Sequence, residues 1–377
     1  MVQRLTVVQI LPALESGGVE RGTLEVAREL AVRGHRSIVI SGGGRQVSRL
    51  LAAGSEHVTW PVGRKSLFTA RWIPRLRRFL KRNEVDIVHA RSRMPAWVAW
   101  LAWRGMPAAE RPRFITTIHG LYSVGRYSRV MTRGERIIAV SRTAAQYAME
   151  NYDVKPEDIE IICRGVDAQF FPYGYRPPDN WLQQWYRQQP ALLERLVLTL
   201  PGRLTRLKNH ETFIDLISSL AQRGLPAHGL IVGAEDPRRK AYAQSLRDKV
   251  AALDLNDRIS FLDHSDEIRN IYAVSNVVLS LSSRPESFGR SILEALSLGV
   301  PVAGYDHGGV GEILEQVYPD GRIPLNDTDA LADRVAEILK DPPGVPATHG
   351  FSLREMLDRT IGLYEELALE SDKGRAP

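Results

Sequence analysis

The stretch from Glu286 to Glu294, ESFGRSILE, sets two carboxylates eight positions apart at the start of an apolar helical pattern. Ser287 is the candidate cap, Ile292, Leu293, Leu296 and Leu298 carry the helical spacing, and Gly299-Val300-Pro301 ends it. An ionised carboxylate removed from water needs partners. Two acids here imply either a solvated surface or a polar ligand lying along the helix start. Upstream, Arg203 and Lys208 lie five residues apart in PGRLTRLKNH, beside Gly202 and before a helix expected from Asn209. A guanidinium fork and an ammonium point charge beside a helix start suit phosphate oxygens. Gly17-Gly18 and His119-Gly120 each follow an apolar run. A glycine pair lets backbone approach a ligand closely, and the next helix offers free N–H groups to an anion. Taken singly, each has a plainer explanation: a turn, a packed histidine, a solvated loop.

The elements that position these residues are legible as alternating short apolar runs and helical patterns. Strands are expected at 5–11, 37–41, 85–89, 114–119 and 136–140, then at 196–200, 229–232, 259–261, 277–281 and 300–303. Helices are expected at 23–32, 209–222, 237–253, 267–273, 289–298 and 353–370. This βαβ rhythm predicts the α/β class with doubly wound parallel sheets. It breaks at Phe170–Leu193, rich in Pro, Tyr, Trp and Gln. The expected division is a first domain over 1–173, joined by the C-terminal helix at about 352–377, a linker at 174–193 and a second domain over 194–351. Open α/β sheets bind ligands at the carboxyl ends of their strands. All four features fall at such ends, facing one expected cleft. No G-x-G-x-x-G follows the first strand and no acid ends the second, which argues against a nicotinamide enzyme.

The chain has 377 residues, a net charge of +6 and one cysteine, Cys163, so no internal disulfide can form and a reducing cytosol is expected. No signal peptide and no membrane span are expected. Residues 1–173 hold 27 Lys and Arg against 15 Asp and Glu, whereas the remainder is acidic. The basic half should face something anionic. Nucleic acid is not the expected partner, since zinc-finger, RRM and basic-zipper signatures are missing. The helix at 71–82 sets Arg71, Arg75, Arg77, Arg78, Lys81 and Arg82 around an apolar face of Trp72, Ile73, Leu76, Phe79 and Leu80. It reads as a core-packed helix, as a contact with anionic lipid, or as both.

The combination GGVERG, HG, GRLTRLKN, ESFGRSILE and HGGVGEIL (307–314) resembles, in kind and order, the retaining glycosyltransferases of family 4, and the resemblance covers essentially the whole chain. It implies the GT-B fold, two Rossmann-like domains around a nucleotide-sugar cleft. It assigns His119, Arg203, Lys208 and Glu286 to catalysis. It places Gly17, Gly18, Arg203, Lys208, Ser287, Phe288, Gly289, Arg290 and Glu294 around the donor. Glu286 contacts the donor-sugar hydroxyls, Glu294 holds the ribose, and the backbone near Phe288–Arg290 faces the diphosphate. Eight helical residues rise about 12 Å, a span comparable with that from sugar to ribose across a diphosphate. The resemblance implies retention of configuration by same-face attack, with no metal and no cofactor beyond the nucleotide-sugar. His119 then orients the sugar and is not a general base.

Asp327-Thr-Asp329 spells D-x-D, but it opens the helix ALADRVAEIL, so one of its acids reads as a cap. VYPDGRIPLND, following HGGVGEIL, departs from the family's usual Gly-Leu-Val stretch and leaves donor choice open. DIVHARSRMPAWVAWLAWR (86–104) resembles a segment of lipopolysaccharide-core and surface-glycan members. Arg91 and Arg93 there are candidate contacts to a phosphorylated acceptor. Trp97, Trp100 and Trp103 share a helix face, for core packing or for acceptor contact. The expectation is transfer of a hexose, UDP-glucose leading, to a lipid-linked acceptor such as lipopolysaccharide core, by a peripheral enzyme at the cytoplasmic face of the inner membrane. The alternatives are a mannosyl- or rhamnosyltransferase of O-antigen or exopolysaccharide synthesis, and a non-catalytic sugar-nucleotide-binding paralogue.

Overall fold

The computed structural model describes residues 4–15, 17–235 and 240–373. They form two compact units, one comprising the chain up to Gly165 with the helix from Leu353, the other Val166–Ser352.

The first unit contains β1 (Thr6–Ile10), α1 (Gly18–Val32), β2 (Arg36–Ser41), α2 (Val47–Ala52), β3 (Glu56–Thr59), α3 (Trp72–Arg82), β4 (Ile87–Ala90), α4 (Arg93–Arg104), β5 (Arg113–Ile118), β6 (Arg136–Ala139), α5 (Arg142–Tyr152) and β7 (Ile159–Ile161). Its seven strands are all parallel in the order β3-β2-β1-β4-β5-β6-β7. The central strands are buried on both faces, which is why they read as unbroken apolar runs. Strand order reverses between β1 and β4, and such a switch point is where an open α/β sheet takes a ligand. The N-terminus of α1 and Arg91 follow those two strands.

Helix α3 has the expected face. Trp72, Leu76 and Leu80 are buried, and Trp60 stacks on Trp72 at 5.2 Å. The cations stay exposed, so core packing and a basic outer surface coexist on one helix.

The second unit contains α6 (Asp179–Gln188), β8 (Leu196–Pro201), α7 (His210–Gln222), β9 (Ala227–Val232), α8 (Lys240–Ala252), β10 (Ile259–Leu262), α9 (Ile268–Ala273), β11 (Val277–Ser280), α10 (Arg290–Ser297), β12 (Val302–Tyr305), α11 (Gly308–Val317), β13 (Arg322–Ile323) and α12 (Thr328–Lys340). Six parallel strands run β10-β9-β8-β11-β12-β13. The reversal here lies between β8 and β11, the strands that lead into Gly202-Arg203 and into the Glu286 turn. Helix α6 packs Trp185 against Val197, Leu230, Val232 and Ile271 of this unit. Of the helix expected at 237–253, residues 237–239 lie outside the described residues.

Helix α13 (Leu353–Lys373) returns to the first unit and buries Ile361, Tyr364 and Leu367 beside Leu5, Ile87 and Ile115. Residues 374–377 lie outside the described residues. Among the described residues no helix is long and apolar enough to cross a membrane.

Candidate active site

In the second unit the two carboxylates sit on a turn and on the helix it opens. Helix α10 starts at Arg290 with Gly289 at the N-cap, φ 105°, and Ser287 is not its cap. That corrects the sequence reading: an N-cap at φ 105° favours glycine, and the ESF tripeptide is a turn ahead of it. The HGG sequence holds this turn. Gly309 N–H donates to the Glu286 carbonyl at 2.8 Å, and a Cβ on Gly309 would sit 2.3 Å from Phe288 Cα. Gly308 has φ 60°, and His307 Nε2 lies 2.8 Å from the Ser282 carbonyl. The glycines therefore let α11 butt directly against the Glu286 turn.

Glu286 is met by Lys208, whose Nζ donates to its Oε1 at 2.7 Å, and by a very short bond from Ser282 Oγ. Both members of the ion pair are about one-fifth exposed. Burial alone would push the Glu286 carboxyl up; the Lys208 charge and the bonds from Lys208, Ser282 and Ser280 outweigh it and hold it below the usual carboxylate range. Glu286 is thus an ionised acceptor. An ammonium has three N–H donors, so Lys208 can serve Glu286 and a second anionic group at once. Its stem lies over Gly202, where a Cβ would meet Lys208 Cε at 3.0 Å. Asn209, φ 57°, turns the chain from Lys208 into α7. Arg203 is exposed and forms no ion pair among the described residues.

Glu294 lies one turn into α10, only 6% exposed, 3.2 Å from Arg290 Nε. Ser287, Phe288 and Gly289 complete the segment, with Phe288 buried against Phe351. The D-x-D acid Asp327 caps α12, accepting from Ala330 N–H at 2.9 Å.

The remaining candidates belong to the first unit. Gly17, φ 152°, is the N-cap of α1, which begins at Gly18. His119 follows β5, and its Nδ1 lies 2.5 Å from Arg164 Nη2. Arg91, expected at an open strand end, is instead 2% exposed and donates from Nε to Gln9 Oε1 at 2.7 Å. Arg93 lies over the rings of Tyr122 and Tyr127 at 4.7 and 5.2 Å. Trp97 and Trp103 are half-buried with their ring N–H groups on the Tyr127 and Pro112 carbonyls. Beside His119 lies His89, bonded to Tyr364 and Thr117 at 2.5 Å each.

The structure thus joins Lys208 to Glu286 and Arg290 to Glu294, and gathers Arg164, Arg91 and His89 around His119. Sequence reasoning gave no role to Ser282, His307 or Arg164. The HGG glycine pair before a helix was the signal for the second. A lone arginine in the apolar IICRGV was the only signal for the third.

Residues 16–170 match the family model Glycosyltransferase Family 4, and residues 183–357 match Glycosyl transferases group 1. Over 317 residues, 80% of this chain, the sequence is 25% identical to a component of human phosphatidylinositol N-acetylglucosaminyltransferase, and the match spans 61% of that protein's length. The crystal structure of a glycosyltransferase from Rickettsia africae ESF-5 superimposes with a TM-score of 0.84 at 29% identity, covering 97% of this chain and 98% of that one. HepE of Anabaena, solved with UDP and glucose, gives 0.80 at 18% identity over 96% and 99%. The two family models follow one another along the chain as the two parallel-sheet units do, and the chain belongs to the family 4 glycosyltransferases, with the GT-B fold.

Proposed function

We propose that the protein is a retaining hexosyltransferase that moves a hexose from a nucleotide-diphospho-sugar, UDP-glucose first, to a lipid-linked, phosphorylated glycan acceptor of the lipopolysaccharide-core type. The observation that carries this is the Lys208–Glu286 pair at the β8/β11 switch point, 2.7 Å apart and backed by the α10 N-terminus. Glu286 accepts from sugar hydroxyls, and Glu294 from the ribose. Breaking the sugar–phosphate bond leaves negative charge on the diphosphate. Arg203, the free donors of Lys208 and the α10 N-terminus meet that charge, so the step needs no metal. Gly17 and Gly18 let backbone lie close to the donor, and His119 contacts its sugar. HepE, crystallised with UDP and glucose, supports the choice of donor. The human relative's name specifies phosphatidylinositol, which favours an anionic, lipid-linked acceptor here. Arg93 is the more accessible of the two candidate acceptor contacts.

The test is turnover with EDTA present, using UDP-, GDP-, ADP- and dTDP-sugars and truncated lipopolysaccharide, with product anomers read by proton NMR. Transfer of glucose from UDP-glucose with retention is expected. An inverted product, or strict dependence on a divalent cation, would contradict the mechanism. Selective use of GDP-mannose or dTDP-rhamnose would move the enzyme to O-antigen or exopolysaccharide synthesis.

The same reading places the enzyme at the cytoplasmic face of the inner membrane. From Trp60 to Asn83 the chain carries eight Lys and Arg and no acid. Within this stretch Leu67 and Phe68 project side by side, 96% and 78% exposed. Exposed apolar side chains ringed by cations suit an anionic bilayer surface. Burying each side chain is worth about 1.5–3 kcal/mol. Leu67→Ser combined with Phe68→Ser should therefore weaken sedimentation with phosphatidylglycerol vesicles by about tenfold or more. Equal binding by the double variant would show that Leu67 and Phe68 do not enter the bilayer surface.

A further inference from the structure

We propose that Arg164 is a positioning residue: it fixes His119 as a neutral ring with its proton on Nε2, able to donate a hydrogen bond to the donor sugar and unable to take a proton during transfer. This rests on the assignment of His119 to the donor sugar made above.

The geometry leaves one tautomer. Arg164 Nη2 lies 2.5 Å from His119 Nδ1, and a guanidinium has donors only. Nδ1 must therefore present its lone pair to Arg164, and a neutral imidazole then carries its hydrogen on Nε2. Acting as a base would require Nε2 to give up that hydrogen and Nδ1 to gain one, which breaks the bond to Arg164.

Arg164 is itself built into place. It is 8% exposed, with Nη1 3.8 Å from Met356 Sδ of α13. A Cβ at Gly22 of α1 would come within 2.2 Å of Nη1. A glycine at 22 is thus required for the guanidinium to lie where it does. The charged and titratable groups facing His119 are Arg164, Arg91 and His89. His89 is held by Tyr364 and Thr117, Tyr122 lies against the His119 backbone, and Glu25 is the acid facing Arg91. Burial first, and then Arg164, Arg91 and His89, keep the His119 ring well below the usual histidine range, so it stays neutral at neutral pH.

The proton balance of the transfer agrees. The bond from the sugar anomeric carbon to the diphosphate oxygen breaks, with the pair going to phosphate. The acceptor oxygen bonds to that carbon, and its proton passes to the phosphate oxygen. His119 neither gains nor loses a proton.

The test is the long-range proton–nitrogen imidazole spectrum of the uniformly labelled full chain, read without substrate, beside kinetics of Arg164 variants. The wild type should show His119 with Nδ1 unprotonated and Nε2 protonated at neutral pH, and still so as the pH is lowered through the ordinary histidine range, given a ring held neutral by burial and cations. Arg164→Met removes one of those cations, so the His119 pKa rises and both tautomers appear. Its kcat should fall about 10- to 100-fold, as for loss of a preorganised donor, with donor KM changing less and an acid limb entering the pH profile. Arg164→Lys should restore part of the rate. Should the methionine variant fail to fold, Gly22→Ala, which displaces the guanidinium, gives the same readouts. A wild-type His119 protonated on Nδ1 would overturn the proposal, and so would variants with an unchanged tautomer and pH profile. The expected tautomer shift with unchanged kcat would overturn the positioning role. The spectrum decides the tautomer whether or not UDP-glucose proves to be the donor.

Discussion

Lys208→Ala is expected to lower kcat/KM by about 10²–10³-fold, the cost of losing one charge-stabilising donor at a developing anion. The loss has two physical sources. The first, on the proposed assignment of Lys208 to the donor, is the leaving diphosphate, which would forfeit an ammonium beside it. The second is Glu286, whose carboxylate keeps Ser282 and Ser280 but loses the basic partner 2.7 Å away. Burial, which pushes its pKa up, then faces less opposition. In the wild type the folded pKa of Glu286 is depressed, so its contribution to stability is present above its unfolded value and lost as pH falls through the lower folded value. In Lys208→Ala that depression shrinks or reverses, and the carboxyl protonates under milder acid. Activity of the variant should therefore decline at a higher pH than that of the wild type as the medium is acidified. Paired pH–rate profiles measure both effects, and superimposable acid limbs would show that Lys208 does not govern Glu286.

Glu294→Gln is expected to weaken nucleotide binding roughly 10- to 100-fold while leaving kcat close to the wild-type value. A hydrogen bond to a charged group contributes about 1.5–3 kcal/mol, and about 1.4 kcal/mol is a factor of ten. Ribose hydroxyls donate, so an ionised carboxylate is the better acceptor. The position is 6% exposed and braced by Arg290 one turn earlier, which gives the carboxylate a fixed aim. Glutamine keeps the volume and removes the charge, so helix α10 stays intact. The ribose is present alike in substrate and transition state, so its loss is uniform binding and falls on affinity. A large fall in kcat with unaltered affinity would place Glu294 at the reacting sugar instead.

Much of this site is legible without the fold, for a physical reason. Parallel strands buried on both faces read as apolar runs, and ligand-binding residues must follow their carboxyl ends. Arg203, Lys208, Glu286 and His119 can be picked out by that rule. Other features carry no such signal. The edge strands β3, β7 and β13 are half-exposed or two residues long and show no continuous apolar run. Serine is the commoner N-cap, which points to Ser287, whereas the backbone ahead of α10 is left-handed and takes Gly289. Arg91 reads as a strand-end cation open to a phosphorylated acceptor, since charge in a sequence does not reveal a buried partner such as Gln9. Arg164 is invisible for the same reason: its partners, His119, Gly22 and Met356, come from three distant segments.

Calorimetric titration of UDP and UDP-glucose, with EDTA present, into the wild type, Lys208→Ala and Glu294→Gln tests most directly whether this metal-free set of cations and carboxylates is the donor site. Binding to the wild type, weakened in both variants, is the predicted result. Nucleotide binding that appears only when a divalent cation is added, or that is equally strong in all three proteins, would contradict it.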